Sequence, residues 1–412
     1  MKILITNLCL SGRSGTETYV RDLAIGLLER GHTPIVYAPD NGPIATELRN
    51  LTIPVVSDLG LISGSVDIIH GHHRHQTMTA LLFFQGVPAV FFIHDWHAWH
   101  DMPLIFPRIL HYVAVDKTRY DRAVVENGVP EEKISILMNG VDTKRFLPRM
   151  PLPKKPKRAV VFSSYVKNKK DIHDLEIACK STGLSLDVIG SGMNSMVHNP
   201  ENVLCEYDLV FAIGRSALEA MAVGAGVIIW GVEGLGGFVN QNNFKHYQEC
   251  NFGRRLLRQV SVSSLVTEIQ RYNPIEARWV QDKVRAEHGQ GNLVERHLAL
   301  YARVINESKL VEYDPLSELR IASKYLEECI PVHSENSYHF GLEISKRRHR
   351  RRLLDVVWIT LSALIVGYMM RVDMVALNSN AYGLIISSVP ICILTVFLLF
   401  QLRMQLKGKL SI

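Results

Sequence analysis

The sequence predicts an α/β protein of two Rossmann-like lobes followed by a two-helix membrane hairpin. Three observations predict it. Short β-branched apolar runs alternate with longer amphipathic stretches along residues 1–145, the pattern of βαβ crossovers and a parallel sheet. The same alternation restarts after LPRMPLPKKPKR, residues 147–158. Two long apolar stretches, 353–370 and 382–402, then close the chain. With 412 residues and 47% hydrophobic content, the chain exceeds what one core usually serves.

KILITN reads as a buried first strand. A signal peptide is excluded because Thr6 and Asn7 interrupt the apolar run and no small-residue cleavage site follows. TETYVRDLAIGLLERG is then a helix and TPIVYAP a strand, and VDIIHG, AVFFIHD and YVAVD complete a first lobe over 1–146. Four prolines and five basic residues make 147–158 a solvated hinge. In the second lobe, 159–305, RAVVFSS, LSLDVIGSG, YDLVFAIG and GVIIWG are strands, with SALEAMAVG a helix between the last two. Residues 306–345, including LSELRIASKYLEEC, read as a helical connector, and 346–412 as the membrane hairpin.

As helices, 353–370 and 382–402 extend about 27 and 31 Å, the thickness of a bilayer core. KRRHRRR at 346–352 abuts the first, and Arg403, Lys407 and Lys409 follow the second. Positive-inside bias puts both flanks, and the soluble lobes, on the cytoplasmic side of a bacterial-type inner membrane. The heptad also suits anionic lipid headgroups. Net charge is +6, but the heptad alone supplies six basic residues, so the excess is local and does not suggest a nucleic-acid partner. Six scattered cysteines without paired spacing indicate a reducing compartment.

IIHGHHRHQ and HDWHAWH concentrate seven histidines. Imidazole is a common zinc ligand, yet the spacing argues against a metal. On a strand His70 and His72 point opposite to His73 and His75, on a helix His94, His97 and His100 do not converge, and no H-E-x-x-H or C-x-x-C accompanies them. Ligands of such sheets sit at the carboxyl ends of the strands. Ser11, Gly12, Arg13, Ser14 and Gly15 follow strand one, where free amides opening a helix suit an anion and a tight turn alone would also use glycine. His70 and His94 also end strands, so the histidine stretches line one wall of a cleft.

Several separate segments resemble the retaining glycosyltransferases of family 4, which have the two-lobed GT-B fold: SGTETYVRDLAIGLLERGHTPIVYAP, VDIIHGHH, FFIHD, VAVDKTRYDRAVVENGVPEEKISILMNGVDTKRFLP and GRSALEAMAVG, over roughly residues 1–305. NGVDTKRF, Asn139 to Phe146, is the most specific of them. The resemblance implies an acceptor site in the first lobe, a nucleotide-sugar donor held by the second, and no metal or cofactor. By position Lys167, Lys169 and Lys170 resemble the basic group that meets the donor diphosphate, although SSY stands where the family has arginine and KNKK also suits a solvated turn. Glu219 falls on the second glutamate of the E-x7-E motif and is implied to bind the donor ribose. Phe211 stands where the first glutamate belongs, and Arg215 is a candidate to supply anion contact. His94 resembles the active-site histidine beside the transferred sugar. Gly12 and Gly15 are candidates for the donor side, and His70, His72, His73 and Trp96, the last suited to stacking, for the acceptor side. The connection from Gly192 to Tyr207 is shorter than the family's. The implied function is transfer of a sugar to a lipid-linked or growing glycan acceptor in polysaccharide or glycolipid biosynthesis, beside membrane lipids. The alternative is a catalytically impaired scaffold of a membrane polysaccharide assembly.

Overall fold

The computed structural model describes residues 1–329 apart from Arg13, Met196 and His198. The expected hairpin at 353–370 and 382–402, the basic heptad and the end of the connector lie outside the described residues. Among those described, no helix is long and apolar enough to cross a membrane.

The first lobe runs β1 (Lys2–Thr6), β2 (Cys9–Leu10), α1 (Gly15–Leu28), β3 (Thr33–Tyr37), β4 (Asp40–Asn41), α2 (Pro43–Asn50), β5 (Val55–Val56), β6 (Ile68–His72), α3 (Arg74–Phe83), β7 (Ala89–Ile93), β8 (Ile109–Ala114), α4 (Lys117–Asp121) and β9 (Ile134–Ile136). Its seven strands form one sheet in the order β5-β3-β1-β6-β7-β8-β9. Every pairing is parallel. Parallel strands are covered on both faces, which is why β6 and β7 are buried at every residue, β7 as a continuous apolar run and β6 with His70 and His72 buried in it. The two-residue strands β2 and β4 pair separately.

The second lobe runs β10 (Arg158–Phe162), α5 (His173–Ser181), β11 (Ser185–Ile189), α6 (Pro200–Leu204), β12 (Leu209–Ala212), α7 (Gly214–Val223), β13 (Gly226–Gly231), β14 (Gly234–Phe238), α8 (Phe244–Glu249), α9 (Val262–Gln270) and α10 (Pro274–Glu287). Its sheet order is β11-β10-β12-β13-β14, parallel except for the β13–β14 pair. The short connection after Gly192 holds only α6. In each sheet the strand order reverses once, between β1 and β6 and between β10 and β12. Such switch points open a crevice at the carboxyl ends of the strands.

Two features differ from the sequence expectation. The crossing between lobes lies before 147–158: the chain goes over at Asn139–Val141 and returns alongside at His288–Gln290. The two passes are joined by Val141 N–H to His288 O (2.8 Å) and Gln290 N–H to Val141 O (2.9 Å). The proline-rich segment is pinned to the second lobe by Arg149, which pairs with Asp208 at 3.0 Å. Secondly, α11 (Gln290–Ser308), expected in the second lobe, packs on the first. Leu293, Val294, Tyr301 and Val304 share a core with Val20, Leu23 and Leu27 of α1. Gly26 leaves room for Val294. The final described helix, α12 (Pro315–Cys329), begins in the main compact unit, Met1–Ala322. There Glu318 forms a buried two-point pair with Arg108 (2.6 and 2.8 Å).

Candidate active site

The end of β6 carries the first wall. His70 and His72 occupy alternate positions and so share a face, where their Nε2 atoms are 2.8 Å apart and His70 Nδ1 lies 2.5 Å from the Tyr301 hydroxyl. His73 does not continue the strand. Its φ of 61° ends β6 and starts α3, and its Nδ1 accepts from Leu8 N–H at 3.0 Å. His94, just past β7, stands with its ring 4.7 Å from both His72 and Tyr19. HDWHAWH is a loop ending in one tight turn at Trp99–Asp101, so its histidines diverge. Trp96 and Trp99 are exposed. The loop is fixed from below by Asp101, which accepts from the amides of His94 and Asp95, and by Arg122, which donates to the carbonyls of Asp95, His97 and Ala98.

Burial dominates the electrostatics of this wall. It lowers the pKa of His94 and of His73 to about 3, holds His70 and His72 well below the usual range, and raises Asp101 to about 7. His70, His72, His73 and His94 are therefore neutral at pH 7. His70 and His72 are fully buried, so they stand behind the wall's surface where an acceptor contact was expected. No group of three His, Cys, Asp or Glu side chains among the described residues is arranged to hold a metal ion.

The opposing wall is the start of α7. Arg215 and Glu219 lie one turn apart and pair at 3.0 Å, and Arg215 also pairs with Asp22 of α1, joining the lobes. All three side chains are nearly buried. Burial raises the Glu219 carboxyl despite Arg215, whereas for Asp22 the Arg215 and Arg21 guanidiniums outweigh burial and lower it. Arg215 is near enough to act on the Tyr19 and His94 side chains. The structure therefore brings His72, His94, Arg215 and Glu219 to one place, with Tyr19 and Asp22 between them. Tyr19, Asp22, His297 and Tyr301 were missed in the sequence. The signal available was a charged residue, Asp22, and a four-residue His-Tyr spacing on otherwise apolar helix faces.

Other expected residues fall differently. The amides of Gly12 and Ser14, expected to be free for an anion, are already taken by the Glu17 carboxylate at 2.9 and 2.6 Å, because the first turn of α1 caps itself. Arg13 lies outside the described residues, and Gly15 begins α1. Lys167, Lys169 and Lys170 follow β10 as expected, exposed, on a turn capped by Asn168 and Asp171. Phe211 is a core residue of β12, with no exposed surface. β12 ends at Ala212 and α7 begins at Gly214, so a single residue, Ile213, joins the strand to the helix. Beside α7, the amide of Gly214 donates to Phe252 O at 2.8 Å, and Asn251 and Phe252 both have positive φ (53° and 50°), a strained arrangement for side-chain-bearing residues. It turns the chain toward Arg254 and Arg255, the latter paired with Asp121 of the first lobe at 2.7 Å.

With this geometry in view, comparison with known proteins gives a consistent fold. Residues 13–145, within the first lobe, match the family described as Glycosyltransferase Family 4. No curated protein matches the chain. Among solved structures, the glycosyltransferase from Rickettsia africae ESF-5 has a TM-score of 0.51 at 15% identity, over 74% of this chain and 98% of that one. Anabaena Alr3699/HepE, solved in complex with UDP and glucose, has a TM-score of 0.51 at 16% identity, over 73% and 99%. These chains share the two-lobed architecture.

Proposed function

We propose that the chain is a retaining, metal-independent glycosyltransferase that moves a sugar from a nucleotide-sugar donor to a lipid-linked or glycan acceptor at the cytoplasmic membrane face. The observation that carries this reading is the convergence of strand ends from the two sheets: His94 after β7 and the Arg215–Glu219 pair after β12 meet around Tyr19 and Asp22. A departing nucleoside diphosphate gains negative charge that protein cations must meet where no metal does so. Lys167, Lys169 and Lys170, exposed on the turn that follows β10, would take that role. Neutral His94 would orient the sugar by hydrogen bonding. Glu219 would take the ribose with the oxygen that Arg215 does not hold. Trp96, exposed at the same loop, supports the acceptor side. The apolar C-terminal stretches in the sequence supply the membrane tether.

UDP-glucose is the first donor to test, because HepE is solved with UDP and with glucose. Release of UDP in the presence of membrane lipid extract, lowered about 100-fold or more in His94→Ala and unchanged in His75→Ala, is the expected result, and equal rates in all three proteins would remove the site. The single-residue link before α7, with Glu17 filling the first anion site, favours the second reading of a scaffold without catalysis. No turnover over a panel of nucleotide sugars, with no donor-induced rise in melting temperature, would establish that reading instead.

A further inference from the structure

Behind His94 runs a line of buried groups that the reading above does not use. Tyr301 and His70 are in contact at 2.5 Å, and His70 and His72 at 2.8 Å. Two buried ring nitrogens then have no hydrogen-bond partner: His72 Nδ1 and His94 Nε2, in rings whose centres are 4.7 Å apart. His94 Nδ1 is the nitrogen left on the accessible side.

Proton counting fixes the direction of this line. The Tyr301 hydroxyl is fully buried, and His70 is its one hydrogen-bond partner among the described residues. Its hydrogen is assigned to His70 Nδ1: the reverse leaves a buried O–H with no acceptor in reach, whereas this direction ends at His72 Nδ1 beside the His94 ring, whose Nε2 is equally unpartnered. A neutral His70 must then carry its proton on Nε2 and donate to His72 Nε2. His72, also neutral, carries its proton on Nδ1, the side facing His94. The neighbouring His297 shows the same logic complete: its Nδ1–H donates to Leu293 O at 2.7 Å, which leaves Nε2 to accept from the Tyr19 hydroxyl at 2.7 Å.

We propose that Tyr301, His70 and His72 form a tautomer-setting chain that reaches His94 Nε2 through one shared water, and so makes His94 Nδ1 an outward-facing hydrogen-bond donor. His72, His70 and Tyr301 are thus positioning residues. The group His94 addresses must be an acceptor: an ether, hydroxyl or phosphate oxygen of the bound ligand, not a donor N–H. That this oxygen belongs to a sugar donor rests on the function proposed above, whereas the tautomer itself does not.

The test uses the full chain in detergent, labelled with [15N]histidine and without ligand, the His94 signals being identified by their loss in His94→Gln. The expected spectrum has the His94 proton on Nδ1, the minority form of a free imidazole in water. In Tyr301→Phe that bias disappears and protonated Nε2 grows in. A His94 proton on Nε2 in the wild type, or an unaltered His94 in Tyr301→Phe, overturns the proposal. If Tyr301→Phe does not fold, the wild-type spectrum decides alone. Failure of every nucleotide sugar to turn over would overturn the function and leave this result standing.

Discussion

Arg215 is held by two carboxylates from different lobes, and its position shows what a single residue type can and cannot reveal in sequence. GRSALEAMAVG announced a helix whose Arg and Glu lie one turn apart, a spacing that permits pairing. Nothing local announced Asp22, nearly two hundred residues earlier, because the partner is set by how the sheets meet. Removing one member of a buried ionic group costs about 3–5 kcal/mol, since the charges left behind lose compensation without regaining water. Arg215→Met, which strips Glu219 of its ion pair and leaves Asp22 with Arg21, should therefore lower the melting temperature more than Glu219→Gln, which leaves Arg215 paired with Asp22. Equal melting temperatures for the two variants would show that the lobes part and let water reach these groups. Phe211 teaches the complementary lesson. Counting eight residues back from Glu219 reaches a core strand, because only Ile213 separates β12 from α7.

Among elements, the strands were legible because parallel strands buried on both faces need apolar runs, and β7, β12 and β13 have unbroken ones, while β6 and β8 carry buried histidines among theirs. The interlobe crossing was not. LPRMPLPKKPKR has the composition of a linker, but its Arg149 and Tyr272's bond to Pro153 O fasten it to the second lobe. The true crossing, Asn139–Val141, is short and leads into a buried valine, so it looks like the end of a strand. What it requires is a glycine. A Cβ on Gly140 would sit 2.9 Å from Leu293 Cδ2 and 3.2 Å from His288 O, wedging the two passes apart. Gly140→Ala should cost about 1–3 kcal/mol by overpacking, read as a lower urea midpoint with an unchanged m value. Gly26→Ala, which meets Val294 Cγ2 at 2.6 Å, should cost a similar amount by pushing α11 off α1. No loss in either would mean that the elements slide freely. The docking of α12 is a third such case. Arg108 donates to the carbonyls of Leu81, Phe84 and Val87 as well as to Glu318, a cradle assembled from residues too far apart to suggest one another.

For the whole molecule, the clustered histidines set the response to acid. The sequence located the cluster but not its burial, which depends on α11 returning to cover it with His297 and Tyr301. His73 and His94 fall to about 3 and His297 to about 4, with His70 and His72 also well below the ordinary 6.5. A group whose folded pKa is depressed binds fewer protons in the native than in the unfolded chain, so its contribution is present above pH 6.5 and is lost as pH falls toward 3–4. Asp101 acts the other way. Raised to about 7 from 3.8, it binds its proton better when folded, and its contribution is lost as pH climbs from about 4 through 7. Five groups oppose one, so stability should rise between pH 4.5 and 6.5, at about 1.4 kcal/mol per pH unit for each net proton taken up on unfolding. The net uptake should exceed one proton. Asp101→Asn, which keeps an oxygen for the amides of His94 and Asp95, should make the rise steeper by removing the opposing group. Unfolding monitored in urea across this pH range reads both slopes. A flat wild-type profile would mean the histidines are hydrated in solution, and an Asp101→Asn slope no steeper than wild type would mean that Asp101 is ionised in the folded chain.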